Sequence, residues 1–198
     1  MMIKLSPVRS DGQLSVARLG DMLTVNGIAF DFAQLPEGAT LPAAAVSSDF
    51  ILDSVERLDG QLVVSLRLPH AADAPEAARF PADIIDPPAG QVELPGQDMG
   101  LSIPSATGLI DWSQLITAET KAAAELAFQR SMAVGETERL RAAADQAIAP
   151  LQDAIDLDEA TEAEVSLLVE WKRFRVALSR LPEQEGYPTT IDWPTPPA

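Results

Sequence analysis

The chain has 198 residues, a net charge of −16, one histidine and no cysteine. That length holds one sizeable core or two small ones. The acidity argues against a phosphate-backbone partner, which needs a concentrated basic surface, and the missing thiols exclude a disulfide framework, a thiolate metal site and a cysteine nucleophile.

The start, Met1-Met2-Ile3-Lys4-Leu5-Ser6-Pro7, lacks the apolar stretch and cleavage site of a secretory signal. No run of about eighteen uncharged apolar residues follows anywhere, so a soluble protein of the reducing cytosol is expected, without membrane or nucleic acid as partner. Short alternating runs come next: Gln13–Arg18, Met22–Val25 and Ile28–Phe32. Asn26-Gly27, between the last two, predicts a hairpin, because both central positions of a type I′ turn need positive φ. A second hairpin is predicted from Phe50–Arg57 and Gln61–Leu68 through Leu58-Asp59-Gly60, with Leu62, Val64, Leu66 and Leu68 sharing one face and Gln61, Ser65 and Arg67 turned to water.

Across residues 69–108, prolines at 69, 75, 81, 87, 88, 95 and 104 interrupt helices and most strands. Gln91-Val92-Glu93-Leu94 is a candidate edge strand within this loop-rich stretch. From about Ser113 the pattern turns helical. Ala118–Ala133 is rich in good helix formers, and Gly135 reads as its stop. A second helix from about Glu136 puts Leu140, Ala144, Ile148, Leu151 and Ile155 on one face, with Pro150 expected to kink it or mark a new start. Thr161-Glu162-Ala163-Glu164 is a capping box opening a third helix, whose face is Val165, Leu168, Trp171, Arg175 and Leu178. The short join Asp156–Ala160 makes these two helices an antiparallel hairpin. The proline-rich tail from Tyr187 cannot be helical, and its Trp193 should dock on something. The fold class expected is α+β: an N-terminal antiparallel β domain over residues 1–95, a linker over 96–112, and a C-terminal α-helical domain with a helical hairpin over 113–198.

Little in the chain suggests catalysis. His70 lies in an expected loop without partners, and no nucleophile elbow, phosphate-binding glycine loop, dinucleotide fingerprint or zinc-protease pair occurs. Asp153, Asp156, Asp158 and Glu159 could offer oxygen ligands to a cation, but they lack the spacing of a calcium loop and equally suit an exposed turn before a helix N-terminus. Lys172, Arg173 and Arg175 favour the negative end of the third helix. Trp171 and Phe174 fit a core, although aromatic residues beside arginine also typify binding hot spots. No enzyme, cofactor or metal is therefore expected. Residues 1–110 and 111–198 carry −8 each, an even spread that suits a solubility charge.

The run Leu140–Leu157 with its Pro150-Leu151-Gln152-Asp153-Ala154, then Trp171-Lys172-Arg173-Phe174-Arg175-Val176, then Asp192-Trp193-Pro194, resembles the C-terminal domain of tail fibre assembly proteins of tailed bacteriophages. The likeness covers roughly residues 139–194, and the joint order of the three motifs carries it. Asp158 stands where the family usually has glycine after Asp-Leu, and Asp tolerates the left-handed conformation of a helix cap better than most residues. The resemblance implies a chaperone that binds the C-terminal region of a phage or prophage tail fibre protein and promotes its folding and trimerisation. Its place would be the cytoplasm of the bacterial host or, for members that stay bound, the fibre tip. Trp171, Arg175, Tyr187, Asp192, Trp193 and Pro194 are the candidate partner-binding residues. Two other readings stand beside it, a structural or host-recognition component of the fibre tip and a tail-associated glycan-cleaving enzyme; the second lacks a visible acid/base pair.

Overall fold

A computed structural model describes residues 1–97 and 103–197. The chain divides into two compact units, Met1–Lys121 and Ala122–Ala198, and the fold class is α+β. The first unit contains β1 (Met2–Arg9), β2 (Val16–Leu19), β3 (Met22–Val25), β4 (Ile28–Asp31), β5 (Thr40–Pro42), β6 (Ile51–Leu58), β7 (Gln61–His70), the single turn α1 (Glu76–Arg79), β8 (Ile84–Ile85), β9 (Gly90–Val92) and β10 (Ala106–Thr107). They form two five-stranded sheets, ordered β5-β6-β7-β1-β8 and β10-β4-β3-β2-β9.

Both expected hairpins are present. Asn26 and Gly27 have φ of 47° and 80°, and Asp59 and Gly60 have 50° and 74°, as a two-residue type I′ turn requires. Leu62, Val64, Leu66 and Leu68 are all buried on one face of β7. A bulge in β6 between Leu52 and Val55 absorbs a register shift at the positive φ of Asp53. The pairing is mixed rather than wholly antiparallel. β1 runs parallel to β7 from Met2↔Val63 to Arg9↔His70, and β10 runs parallel to β4. β1 was not among the expected strands; it carries Pro7, and because β8 pairs only with Met2 and Ile3, β1 is an edge beyond them, where proline is tolerated.

The two sheets share one hydrophobic core that includes Ile3, Val16, Leu23, Phe30, Phe32, Leu41, Val55 and Val64. Arg57 ties their loops together: Nη2 donates to Asp21 Oδ2 (2.8 Å) and the Phe32 carbonyl (3.2 Å), and Nε donates to the Leu35 carbonyl (2.7 Å). The proline-rich stretch contributes β9 as an edge strand against β2, which overlaps the candidate run at 91–94 in Gln91 and Val92 only. Of the residues expected as a linker, Ala106 and Thr107 form β10, residues 98–102 lie outside the described residues, and a Cβ on Gly108 would come within 2.0 Å of the buried Phe30 ring.

The second unit is built on α2 (Ala118–Asp156) and α3 (Glu162–Ser179), α2 beginning in the last residues of the first unit. α2 is continuous, which corrects the stop expected at Gly135 and, of the two outcomes expected at Pro150, the new start. An exposed helical glycine costs only about 1 kcal/mol relative to alanine, and Thr137 close behind Gly135 donates its hydroxyl to the Ala133 carbonyl (2.7 Å) within the helix. Pro150 is exposed, as is Gln146 four residues before it, so water can satisfy the carbonyl that proline leaves without a donor. Among the described residues no helix is long and apolar enough to cross a membrane. Replacing Arg57 by Met should lower stability by about 2 kcal/mol, since it strands two carbonyls and a half-exposed carboxylate; urea denaturation followed on the β unit's signal measures this.

Candidate functional site

The local sequence sets the corner between α2 and α3. At the end of α2, Asp158 has φ 57°, its N–H donates to the Ile155 carbonyl (3.0 Å), and the Glu159 N–H donates to the Ala154 carbonyl (2.9 Å). This pair of bonds is the Schellman arrangement normally built on glycine, and aspartate fills the left-handed position here. Thr161 then caps α3 reciprocally. The Glu164 N–H donates to Thr161 Oγ1 (3.3 Å), while the Thr161 N–H donates to Glu164 Oε2 (2.7 Å). Those bonds, the backbone one foremost, hold the Glu164 carboxyl below its ordinary range.

The corner turns α3 back along α2. Lys172 Nζ donates to Gln152 Oε1 (2.8 Å) and Arg175 Nη1 to Asp145 Oδ1 (2.7 Å); later residues of α3 face earlier ones of α2, so the pair is antiparallel. Ala144, Phe174, Leu178 and Leu181 form the buried cluster, with Leu140, Trp171, Ile191 and Trp193 half-buried against it. Trp171 stands edge-on to Phe174 at 5.7 Å. Ile148 and Leu168 of the expected seam are also buried, whereas Val165 is exposed and Phe174 takes the inward place.

After α3 the chain folds back as a hydrogen-bonded turn. Gln184 clamps it: Nε2 donates to the Asp192 carbonyl and Oε1 accepts from the Asp192 N–H, both at 2.9 Å. The Gly186 carbonyl accepts from the Thr190 N–H (2.7 Å) and Thr189 Oγ1 (2.9 Å). A Cβ on Gly186 would lie 2.4 Å from the Thr190 carbonyl oxygen, so only glycine fits. The Tyr187–Pro188 bond is cis and Pro188 is buried.

This turn leaves an open groove of about 460 Å³ between α2 and the tail, lined among others by Phe128, Met132, Glu136, Pro188, Ile191 and Trp193. Phe128 and Met132 are 62% and 61% exposed, large apolar side chains one helical turn apart with little covering them. Gln129, also on the groove, donates through Nε2 to Glu125 Oε1 (2.9 Å), while its own Oε1 is buried without a partner. Arg139 across from Glu136 keeps that carboxyl below its ordinary range through a 2.6 Å ion pair.

Of the residues singled out from sequence, Trp171 and Trp193 meet on the same cluster. Arg175 is exposed and engaged with Asp145. Tyr187 and Pro194 are half-buried in the turn, and Asp192 is exposed with its backbone held by Gln184. Phe128 and Met132 escaped the residue reading; their i, i+4 spacing outside the seam positions was the available signal. Of the acidic residues at 153–159, Asp158 and Glu159 serve the corner through their backbone and Asp156 Oδ1 accepts from Gln152 Nε2 (2.9 Å), and among the described residues no three His, Cys, Asp or Glu side chains are placed to hold a metal ion. His70 Nδ1 lies 2.9 Å from the Ala71 carbonyl.

Comparison with known proteins agrees with the motif order. The family model described as Caudovirales tail fibre assembly protein, lambda gpK, matches residues 82–198, a longer stretch than the motifs marked. Protein TfaD of Escherichia coli (strain K12) is 45% identical over 76 residues, 38% of this chain and 40% of that protein. The prophage tail fiber assembly protein homolog TfaR of the same strain is 43% identical over 74 residues, 37% of this chain and 38% of that protein. The tail fiber assembly protein of Escherichia phage lambda is 42% identical over 74 residues, 37% of each. The chain therefore matches no more than two fifths of the length of these curated relatives. No solved structure matches it.

Two outcomes test the packing. Phe174→Ala should cost about 3–5 kcal/mol, as large-to-small changes in a buried cluster do, read as loss of helical signal on denaturation. The depressed Glu164 carboxyl contributes stability that is present above its unfolded value of 4.5 and is lost as pH falls through the lower folded value. Melting temperature of the helical unit should thus drop on acidification below about pH 4.5, and Glu164→Gln, which keeps the box but not the charge, should flatten that drop.

Proposed function

We propose, from the premise that this chain belongs to the Caudovirales tail fibre assembly protein family, that it is a chaperone which binds the C-terminal region of a tail fibre chain and promotes its folding and trimerisation. The observation that carries the reading is the open apolar groove beside the tail, inside the segment matched by the family, where Phe128 and Met132 stand exposed next to Ile191 and Trp193. β-rich trimers assemble through slow, non-local pairing and expose apolar edges meanwhile. A groove of aromatic and methionine side chains suits such edges, because large polarizable groups adapt to varied apolar partners. The task needs no covalent chemistry, so the chain acts without catalytic residues or cofactor.

In this reading Trp193 is both staple and contact, with one side on the helical cluster and the other on the groove. Trp171 packs against the same cluster. Tyr187, Asp192 and Pro194 belong to the tail segment that brings Pro188, Ile191 and Trp193 to the groove, whereas Arg175 pairs with Asp145 and lines a separate groove. The protein works in the cytoplasm of the bacterial host, where the fibre is made. Whether it then stays on the fibre tip is answered by its presence in purified particles.

Co-expression with the fibre chain encoded next to it, followed by copurification, tests the proposal. The fibre should be soluble and trimeric only when this chain is present; a soluble trimer in its absence overturns the assignment. Phe128→Asp and Met132→Asp should each abolish copurification while shifting stability by less than about 1 kcal/mol, since both side chains are exposed. Truncation after Leu181 should, by contrast, lower the melting temperature as well as binding, because Ile191 and Trp193 pack on the core.

A further inference from the structure

The outer face of α3, turned away from α2, carries a second surface that the fibre reading does not use. Val165, Val169 and Val176 are 43%, 43% and 48% exposed, and at 100° per residue they fall on one stripe with Glu162, Arg173 and Arg180. A shallow groove of about 450 Å³ lies along its C-terminal half, lined by Val169, Lys172, Arg173, Val176, Ala177 and Arg180. Among the described residues the ion pairs of this unit are Arg139–Glu136 and Arg175–Asp145; Glu162, Arg173 and Arg180 have none.

The charges on this stripe are sorted by sign. Glu162 opens the helix, preceded by Asp158 and Glu159 in the turn, and Arg173 and Arg180 close it. A partner for the stripe must offer aliphatic side chains at helical spacing, a carboxylate opposite Arg180 and a cation opposite Glu162. A second copy of α3 in antiparallel orientation supplies all three. With the two-fold axis near residue 171, Glu162 faces Arg180 of the other copy, Val165 faces Val176, and Val169 lies over the stem of Arg173, each contact occurring twice.

We infer that this chain self-associates as a two-fold dimer through antiparallel packing of α3, with Glu162–Arg180 pairs closing both ends of the valine stripe. The general acidity of the chain opposes association of two copies, so only a surface on which the charges locally reverse can bring them together, and α3 provides one. The stripe and the groove of Phe128, Met132 and Trp193 share no residue, so the dimer stands or falls independently of fibre binding.

Sedimentation of the full chain across about 5–500 µM, the range suited to a small interface, tests this. The wild type should show a reversible monomer–dimer equilibrium. Arg180→Glu and Glu162→Arg should each weaken association about tenfold or more by placing like charges together, and the double variant Glu162→Arg with Arg180→Glu should restore it, because the swap preserves complementarity under the two-fold. Helical circular dichroism confirms that each variant is folded. Should Glu162→Arg unfold, Val169→Asp replaces it, since a carboxylate at the centre of the stripe must break the contact. A chain monomeric throughout overturns the inference, as does a dimer indifferent to Arg180→Glu and Val169→Asp, or a folded double variant that stays monomeric.

Discussion

The helical unit depends on one small buried cluster, Ala144 of α2 with Phe174 and Leu178 of α3 and Leu181 just after it. A larger side chain at residue 144 would push α3 away from α2, and the inward edge of Phe174 would lose the packing that also seats Trp171, Leu181 and, through them, the tail. The unit has few other fully buried side chains, so this cluster carries a large share of its stability. Of the flanking contacts, the Arg175–Asp145 pair is exposed and the Lys172–Gln152 bond part-buried, and the exposed ion pair sets register more than it stabilises. Packing decides where the helices lie, and the polar pairs select which residues meet.

Because the core is that small, the C-terminal segment is part of it. Leu181 completes the buried cluster, the Gln184 clamp turns the chain back, and Ile191 and Trp193 close over the helices. The proline-rich tail is a folded staple whose Trp193 docks on the helical cluster, so that aromatic residue is spent partly on stability. A surface beside a staple is well suited to binding: the rim is rigid, so a partner does not have to order it. It also means that truncation alone cannot separate folding from recognition, whereas the exposed Phe128 and Met132, which hold nothing in place, can.

What was legible in the sequence follows from how local its cause is. The turns at Asn26-Gly27 and Asp59-Gly60, the face of β7 and the capping box at Thr161 are each decided by a few neighbouring residues, and each was readable. Asp158 in the left-handed position was legible only through the resemblance, because it stands where the family usually has glycine. The parallel pairing of β1 with β7 was not legible, since it joins residues some sixty positions apart through backbone bonds that leave no pattern in side chains. Gly135 misled because its cost is real but smaller than the cooperative gain of continuing a helix that already exists. The candidate site was half legible: Trp171 and Trp193 were found as aromatic residues needing a place, but their meeting on one cluster, and the exposure of Phe128 and Met132 beside them, depend on how α3 and the tail return to α2.

The charge of the chain shows the same difference between sum and arrangement. Counted along the sequence, acidity is even, and it suggests only solubility. Folded, the helical unit separates its charges along α3, with Glu162 at one end and Arg173 and Arg180 at the other, on a face that also exposes three valines. A uniformly acidic surface would repel its own copy everywhere and would leave an aliphatic stripe without a natural cover. Segregation by sign removes the repulsion at one place and in one orientation, since two antiparallel helices match while two parallel ones would set Arg180 against Arg180. The general negative charge then acts as the filter that rejects other self-contacts, and the stripe gains its specificity from the acidity around it.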